Sequence, residues 1–368
     1  MKICFLAPAN SAHTKKWCKY FTGKNHEVHV ISFVDADIED AAVYYVSTGA
    51  QADGGDLNKL RYLSKAGEVK RIVSEINPDI INVHYATSYG TVAALAGLKN
   101  YVLSVWGSDI YDFPNRSILH KALLKFSLRR AKYLFSTSHA MADEAAKYTD
   151  KSFEITPFGV DIDLFSPANR HRNDDERFII GTVKSLSCVY GIDYLLKAAS
   201  IIMHEHPDIP LGLRIAGSGL DEAMLRDLAS ELEVDTITSW LGFIAPQEAA
   251  NEWANMDVAV IPSLSESFGV AAVEAQACAT PVIVSNIPGL MEATKPDFSS
   301  IVVPKQDERA IADAILSLYY DVDMRREMGI NGRKYAEDNF EIGACFEKVE
   351  KLFNTYSKSF IREKKEAL

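Results

Sequence analysis

"VAVIPSLSESFGVAAVEAQACATPVIVSN", Val258 to Asn286, holds the pattern that decides the fold. A β-branched run, "VAVI", leads through a polar loop into a small, apolar segment of helical length, and a second β-rich run, "PVIV", follows. Strand, loop, helix and strand in that order read as a βαβ unit with parallel strands. Working outward, "FIIGTVKS", "LGLRIAG" and "TITSWLG" precede it and "SSIVVP" follows, each set apart by a helical or loop segment. The same alternation fills the first half: "KICFLAP", a helix from about His13, "HEVHVISF", "PDIINVHY", "YVLSVWG", a long helix from about Ser117, and "YLFSTS". Between the halves lies an irregular polar stretch, "FGVDIDLFSPANRHRNDDER", with the composition of a linker. The predicted fold class is α/β, two doubly wound, Rossmann-like parallel-sheet domains: residues 1–165, a linker over 157–177, and residues 176–344. A charged helical stretch ends the sequence, and its part from about 345 to 368 is expected to pack back on the first domain.

Composition agrees with two domains. The chain has 368 residues, 48% of them hydrophobic, enough for two sizeable cores. A net charge of −11 argues against nucleic acid as a partner, since binders of phosphate backbones carry a basic stripe. Five scattered cysteines, without a CxxC pair or metal-ligand spacing, suit a reducing compartment. The apolar run in "MKICFLAP" is too short for a signal-peptide core, and no stretch approaches the roughly 20 apolar residues of a membrane span. The expectation is a cytoplasmic protein, peripheral if it touches a membrane.

Within the opening stretch, Glu274 stands among small apolar residues, where an ionised carboxylate kept from water needs a polar partner. Gly269 falls near a helix N-terminus at the carboxyl end of a strand, where free N–H groups and the helix dipole favour an anion such as a diphosphate. Without a side chain, it lets a ligand come close. Glu274 lies about 7.5 Å further along the axis, roughly the reach from a diphosphate to the ribose of the same nucleotide. Glu266 projects from the preceding loop towards the other side of the phosphates, where a sugar would sit. On spacing alone, Glu266 reads equally as a solvated loop acid and Glu274 as a boundary residue.

The stretch "PSLSESFGVAAVEAQACATPVIVS" resembles the E-x7-E signature of retaining GT-B glycosyltransferases of family GT4, with Glu266 and Glu274 as its two acids. "PFGVDIDLFSP" looks like that family's interdomain motif, "GTVKSLSCVYGIDYLLKA" like its donor-phosphate segment, and "LRIAGSGLDEAML" and "WLGFI" like the strands between. The resemblance implies a GT-B enzyme, its domains facing a central cleft, that transfers a hexose from a UDP- or GDP-linked sugar to a saccharide or lipid-linked saccharide. It implies retention, no metal and no further cofactor, and a place in bacterial surface polysaccharide or lipid-linked oligosaccharide assembly. The implied donor residues are Lys184, Gly217, Ile244, Glu266, Ser267, Phe268, Gly269, Val270 and Glu274, with Glu266 on the transferred sugar and Glu274 on the ribose. Lys184 and Glu266 are the catalytic candidates there. Several positions depart from the family pattern: Val189 stands where a second cation is expected, Trp106 where many relatives carry His, Ser11 and His13 in place of a glycine-rich loop, and Ala279 and Pro288 where Gly is common. A nucleotide-sugar epimerase or hydrolase on the same fold, or a non-catalytic nucleotide-sugar-binding subunit, stays open beside the transferase.

On the acceptor side, His13, His84, Trp106 and Asp109 each lie at or just after a first-domain strand, and Asp109 is a third catalytic candidate, able to orient an acceptor hydroxyl or accept its proton. "DID", Asp161 to Asp163, has a metal-binding spacing but matches the linker motif, so no metal site is expected. In "HKALLKFSLRRAKY", Lys121, Lys125, Arg129 and Lys132 share a helical face beside Leu124, Leu128 and Ala131. A basic helix with an apolar flank suits an anionic membrane surface through residues 120–133, as it would also suit a solvated face.

Overall fold

The computed structural model describes residues 1–49, 60–171 and 177–366, with side chains described through residue 360 except at Leu60. By its internal contacts the chain falls into two compact units, Met1–Phe158 with Gly343–Leu368, and Gly159–Ile342.

Among the described residues, the first unit carries a seven-stranded sheet: β1 (Lys2–Leu6), β2 (Glu27–Ser32), β3 (Ala42–Tyr45), β4 (Ile80–His84), β5 (Val102–Val105), β6 (Tyr133–Ser136) and β7 (Phe153–Ile155). Every pairing is parallel and the order is β3-β2-β1-β4-β5-β6-β7, so the winding reverses between β1 and β4. The central strands are buried along their length because helices cover both faces, as the apolar runs require. The two edge strands, β3 and β7, are short and partly exposed.

Helix Ile342–Glu366 closes this core. Phe353 stacks on Phe21 at 5.5 Å, Phe346 meets the edge of Trp17, and Glu350 bonds His26 at 2.9 Å and the Tyr20 hydroxyl at 3.1 Å. Helix Ile118–Arg130, capped by the Ser117 hydroxyl, turns Leu124 and Leu128 into the core and Lys121, Lys125 and Arg129 to solvent. Leu124, Leu128 and Ala131 are therefore core residues and cannot be the apolar flank of a membrane face. The exposed apolar pair on this helix is Ile118 and Leu119 at its first turn, 90% and 63% exposed.

Among the described residues, the second unit has a six-stranded parallel sheet: β8 (Phe178–Val183), β9 (Leu211–Ala216), β10 (Thr238–Gly242), β11 (Val258–Ile261), β12 (Val282–Ser285) and β13 (Ser300–Val303), ordered β10-β9-β8-β11-β12-β13. Its winding reverses between β8 and β11. Part of the stretch with linker composition is built into this unit. Val160 and Phe165 are buried in its core, Val160 exchanges backbone bonds with Phe340 and Ile342, and the Arg333 guanidinium donates to the carbonyls of Ile162 and Phe165. Asp161 Oδ1 accepts the N–H groups of Asp163 and Leu164, a turn that occupies the first carboxylate of the "DID" motif.

Candidate functional site

In an open parallel sheet, ligands bind beyond the carboxyl ends of the strands where the winding reverses. In the second unit that point lies between β8 and β11, and Lys184 follows the first while the Glu266 loop follows the second. The Lys184 ammonium is paired with Glu266 Oε1, and the Ser263 hydroxyl donates to the same oxygen at 3.2 Å. The side chains are only 15% and 9% exposed, so the pair is largely withdrawn from water.

The strand ends are knitted by backbone bonds. Lys184 N–H donates to the Ala216 carbonyl at 2.8 Å, and Gly217 N–H to Gly242 at 2.7 Å. Gly217 has φ +134°, and a Cβ there would stand 1.9 Å from the Lys184 carbonyl oxygen, so only glycine lets the loops after β8 and β9 touch. Ile244, just past β10, packs with Val270 against the apolar cluster that contains Phe268. Gly269 at φ +101° precedes helix Val270–Ala277; its carbonyl accepts the Ala272 and Val273 N–H groups at 3.0 and 3.3 Å, and the positive end of the helix dipole lies at the same edge of the sheet. Ser267 is half-buried in the loop ahead of it. Glu274 lies one turn above Val270, and these two half-buried residues form the open side of a helix whose other positions are buried. The structure thus assembles Lys184, Gly217, Ile244, and Glu266 through Val270 at one edge, with Glu274 beyond.

Val189 is exposed, and its carbonyl accepts the Leu264 N–H at 2.8 Å. The residue of that turn which meets the cation is Tyr190, whose ring centroid lies 4.4 Å from Lys184 Nζ. Sequence reasoning missed Tyr190 and Ser263. The signal for Tyr190 was its place before Gly191, a left-handed residue at a helix start.

In the first unit the winding reverses between β1 and β4, and His13 and His84 lie at those strand ends. His84 is fully buried; its Nε2 bonds Asn82 Oδ1 at 2.7 Å, while the Asn82 amide donates to the Ser104 hydroxyl at 2.9 Å. Asn82 Oδ1 must then be the acceptor, so His84 carries its proton on Nε2. Burial, with His13 nearby, lowers the His84 pKa to about 3. His13 stacks on Phe158 at 3.8 Å and meets the edge of Trp106, and burial lowers its pKa to about 4. Trp106 packs on His84 at 4.2 Å. Three of the four acceptor-side candidates therefore form one aromatic group. Asp109 serves differently: Oδ2 accepts from Ala86 N–H at 2.8 Å, and Oδ1 from Gly107 at 2.8 Å and Trp106 at 3.1 Å, which binds the loops after β4 and β5 together. Burial raises its pKa, against the pull of these three N–H groups and its own. Its engaged oxygens suit holding a loop better than taking a proton. Beside it opens a cavity of about 250 Å³ lined by Thr87, Ser88, Ser108, Arg116 and His120, among others. None of these five was singled out in the sequence, because Ser, Thr and Arg in a loop carry no distinctive spacing.

Residues 2–138 match the model described as glycosyl transferase 4-like, and residues 167–335 that of glycosyl transferases group 1. A D-inositol 3-phosphate glycosyltransferase of Paenarthrobacter aurescens is 33% identical over 287 residues, covering 70% of this chain and 68% of that protein. The chain belongs to the GT4-like, group 1 glycosyltransferases. A second relative of this family, the D-inositol 3-phosphate glycosyltransferase of Pseudarthrobacter chlorophenolicus, is 34% identical, and the match spans 68% of this chain but 64% of that protein's length. Among solved structures, sucrose-phosphate synthase from Thermosynechococcus elongatus superimposes with a TM-score of 0.84 at 20% identity, over 98% of this chain and all of that one. Anabaena Alr3699/HepE, in complex with UDP and glucose, gives 0.79 at 19%, over 96% and 99%. These likenesses show the fold, the GT-B pair of parallel-sheet domains.

Proposed function

We propose that the protein transfers a hexose from a nucleoside diphosphate sugar to a hydroxyl acceptor with retention of anomeric configuration. The observation that carries this reading is the meeting of Lys184 and Glu266 at the reversal point of the second sheet, beside the N-terminus of helix Val270–Ala277. The leaving diphosphate gains charge as the glycosidic bond breaks, and Lys184 with the helix N-terminus stabilises that charge in a site largely closed to water, without calling on a metal. Glu266, held by Ser263, orients the sugar, and Glu274 binds the ribose. No enzymatic nucleophile is required if the acceptor attacks from the face that the diphosphate leaves. Asp109, His13, His84 and Trp106 shape the acceptor side from the first unit.

A UDP or GDP donor is supported by the family and by UDP in a solved relative. Because curated relatives are named for inositol 3-phosphate, a phosphorylated cyclitol joins saccharides and lipid-linked saccharides as an acceptor to test. The setting we propose is surface polysaccharide or lipid-linked oligosaccharide assembly at the cytoplasmic face of a membrane. Exposed Lys121, Lys125 and Arg129, with Ile118 and Leu119 at the tip of the same helix, support peripheral contact with anionic lipid. Among the described residues, no helix is long and apolar enough to cross a membrane.

The test is nucleotide release from UDP- and GDP-linked sugars with and without acceptors, the product's anomeric configuration being read by NMR. Release that depends on acceptor, with retention, upholds the reading. Acceptor-independent release would point to a hydrolase, isomerised donor to an epimerase, and binding without turnover to a non-catalytic subunit.

A further inference from the structure

We infer that Tyr190 is a positioning residue of the donor site, presenting Lys184 to the diphosphate by holding its ammonium on the face of the ring. This inference rests on the donor-site reading above. Lys184 Nζ lies 4.4 Å from the Tyr190 centroid while pairing with Glu266, so the ammonium is held between a π-face and a carboxylate. An ammonium has three N–H donors. A ring face attracts its charge without bringing a second anion to compete, leaving donors free for phosphate oxygens.

Tyr190 itself is firmly set. Its ring packs against the second unit's core, and its N–H donates to Ser187 at 2.9 Å. Gly191 follows at φ +63°, and a Cβ there would stand 2.2 Å from the Pro262 carbonyl oxygen. Val189 accepts from Leu264 just before the Glu266 loop. The turn bearing the ring and the loop bearing the carboxylate are thus bonded at Val189 and closely packed at Gly191, on the two sides of Tyr190. With Val189 uncharged and exposed, no cation of this turn can substitute for a Lys184 that drifts.

The experiment compares wild type, Tyr190→Phe, Tyr190→Leu, Tyr190→Met, Lys184→Ala and Lys184→Ala/Tyr190→Leu as full chains, each checked by melting temperature. Binding of UDP and GDP by calorimetry comes first; a wild type that binds neither refutes the donor-site reading itself. Acylation of Lys184, followed by mass spectrometry, tests the positioning whatever that result. Loss of the ring should speed labelling about ten-fold in the Leu and Met variants, as for one desolvated cation–π contact, and the Phe variant should label at the wild-type rate. In turnover, Tyr190→Leu should lower kcat about ten-fold with KM within two-fold, Tyr190→Phe should keep more than half of kcat, and Tyr190→Leu should cost nothing further once Lys184 is Ala. Unchanged labelling in both ring-loss variants overturns the inference, as does a Phe variant that fails like Leu, or a ten-fold loss from Tyr190→Leu that persists without Lys184.

Discussion

Lys184 and Glu266 reach each other from the ends of adjacent strands β8 and β11, and each is the other's counter-ion in a setting largely closed to water. Removing one leaves the other charged and poorly solvated, so stability and catalysis can be separated at this pair. Lys184→Ala should lower turnover by about 10² to 10³, the scale of one electrostatic donor in a preorganised site. It should also cost roughly 1.5 to 3 kcal/mol of stability through the stranded carboxylate. Lys184→Ala/Glu266→Gln should regain the melting temperature while staying inactive. Near-normal turnover in Lys184→Ala would mean that another cation supports the leaving group.

Glu274 makes the opposite prediction. It is half-buried, and Gln keeps its size and one accepting oxygen, so Glu274→Gln should leave the melting temperature nearly unchanged. In the proposed role, loss of one charged hydrogen bond to a ribose should weaken nucleotide binding by about 1.5 to 3 kcal/mol, measured by calorimetry. Unchanged binding with lowered stability would make it a structural residue.

Acid should weaken the first unit through His84. Its folded pKa of about 3 lies below the ordinary 6.5, so the unfolded chain takes up a proton that the folded one refuses. The stabilisation is complete above pH 6.5 and is lost as pH falls towards 3. The limiting slope is about 1.4 kcal/mol per pH unit for this one proton. Melting temperatures from pH 7.5 to 4.5 should fall less steeply in His84→Gln; an equal slope would assign acid sensitivity to other groups.

Ala279 closes helix Val270–Ala277 at φ +58°, with Ala279 N–H donating to Gln276 and Thr280 N–H to Ala275, the double bond of a Schellman end. A left-handed alanine costs about 1 to 2 kcal/mol, against about 0.4 to 1 kcal/mol of unfolded-state freedom returned by glycine. Ala279→Gly should therefore stabilise the second unit by about 0.5 to 1 kcal/mol, seen as a higher urea midpoint at unchanged slope. A lower midpoint would show that the methyl group's packing outweighs the strain.

Vesicles containing anionic lipid should sediment the protein at low salt and release it as ionic strength rises. Charge reversal at exposed Lys121, Lys125 and Arg129 should abolish this, and Ile118→Ser/Leu119→Ser should weaken it. Sedimentation that survives the triple reversal removes the helix from the membrane contact.

The architecture was legible because the buried parallel strands are runs such as "VAVI" and "FIIGTV", bounded by Gly, Pro or polar loops and spaced by helices. β3 and β7 were not, because "AVYY" and "FEI" are edge segments too short to show a period. The stretch from Phe158 looked like a linker because two apolar anchors, Val160 and Phe165, hold it among polar neighbours. The basic stripe of helix Ile118–Arg130 was visible, but which apolar residues beside it face inward depends on the helix's rotation against the sheet, and that is a tertiary fact. Glu266, Glu274 and Lys184 were legible as a motif. Asp109 was legible as a residue and not as a role, since the three N–H groups that occupy it come from Ala86, Trp106 and Gly107 on two separate loops.

Helix Ile342–Glu366 has a consequence for how the molecule is made. It supplies Phe346 and Phe353 to a core whose other members, Trp17 and Phe21, leave the ribosome before any of Gly159–Ile342 is translated. At about 5 to 20 residues translated per second the wait is roughly 10 to 40 s. Through that interval the nascent first unit exposes the aromatic surface that this helix will cover, while the second unit can fold in one uninterrupted stretch. The N-terminal half is thus born first and completed second, and a holdase would find its substrate in the face around Trp17.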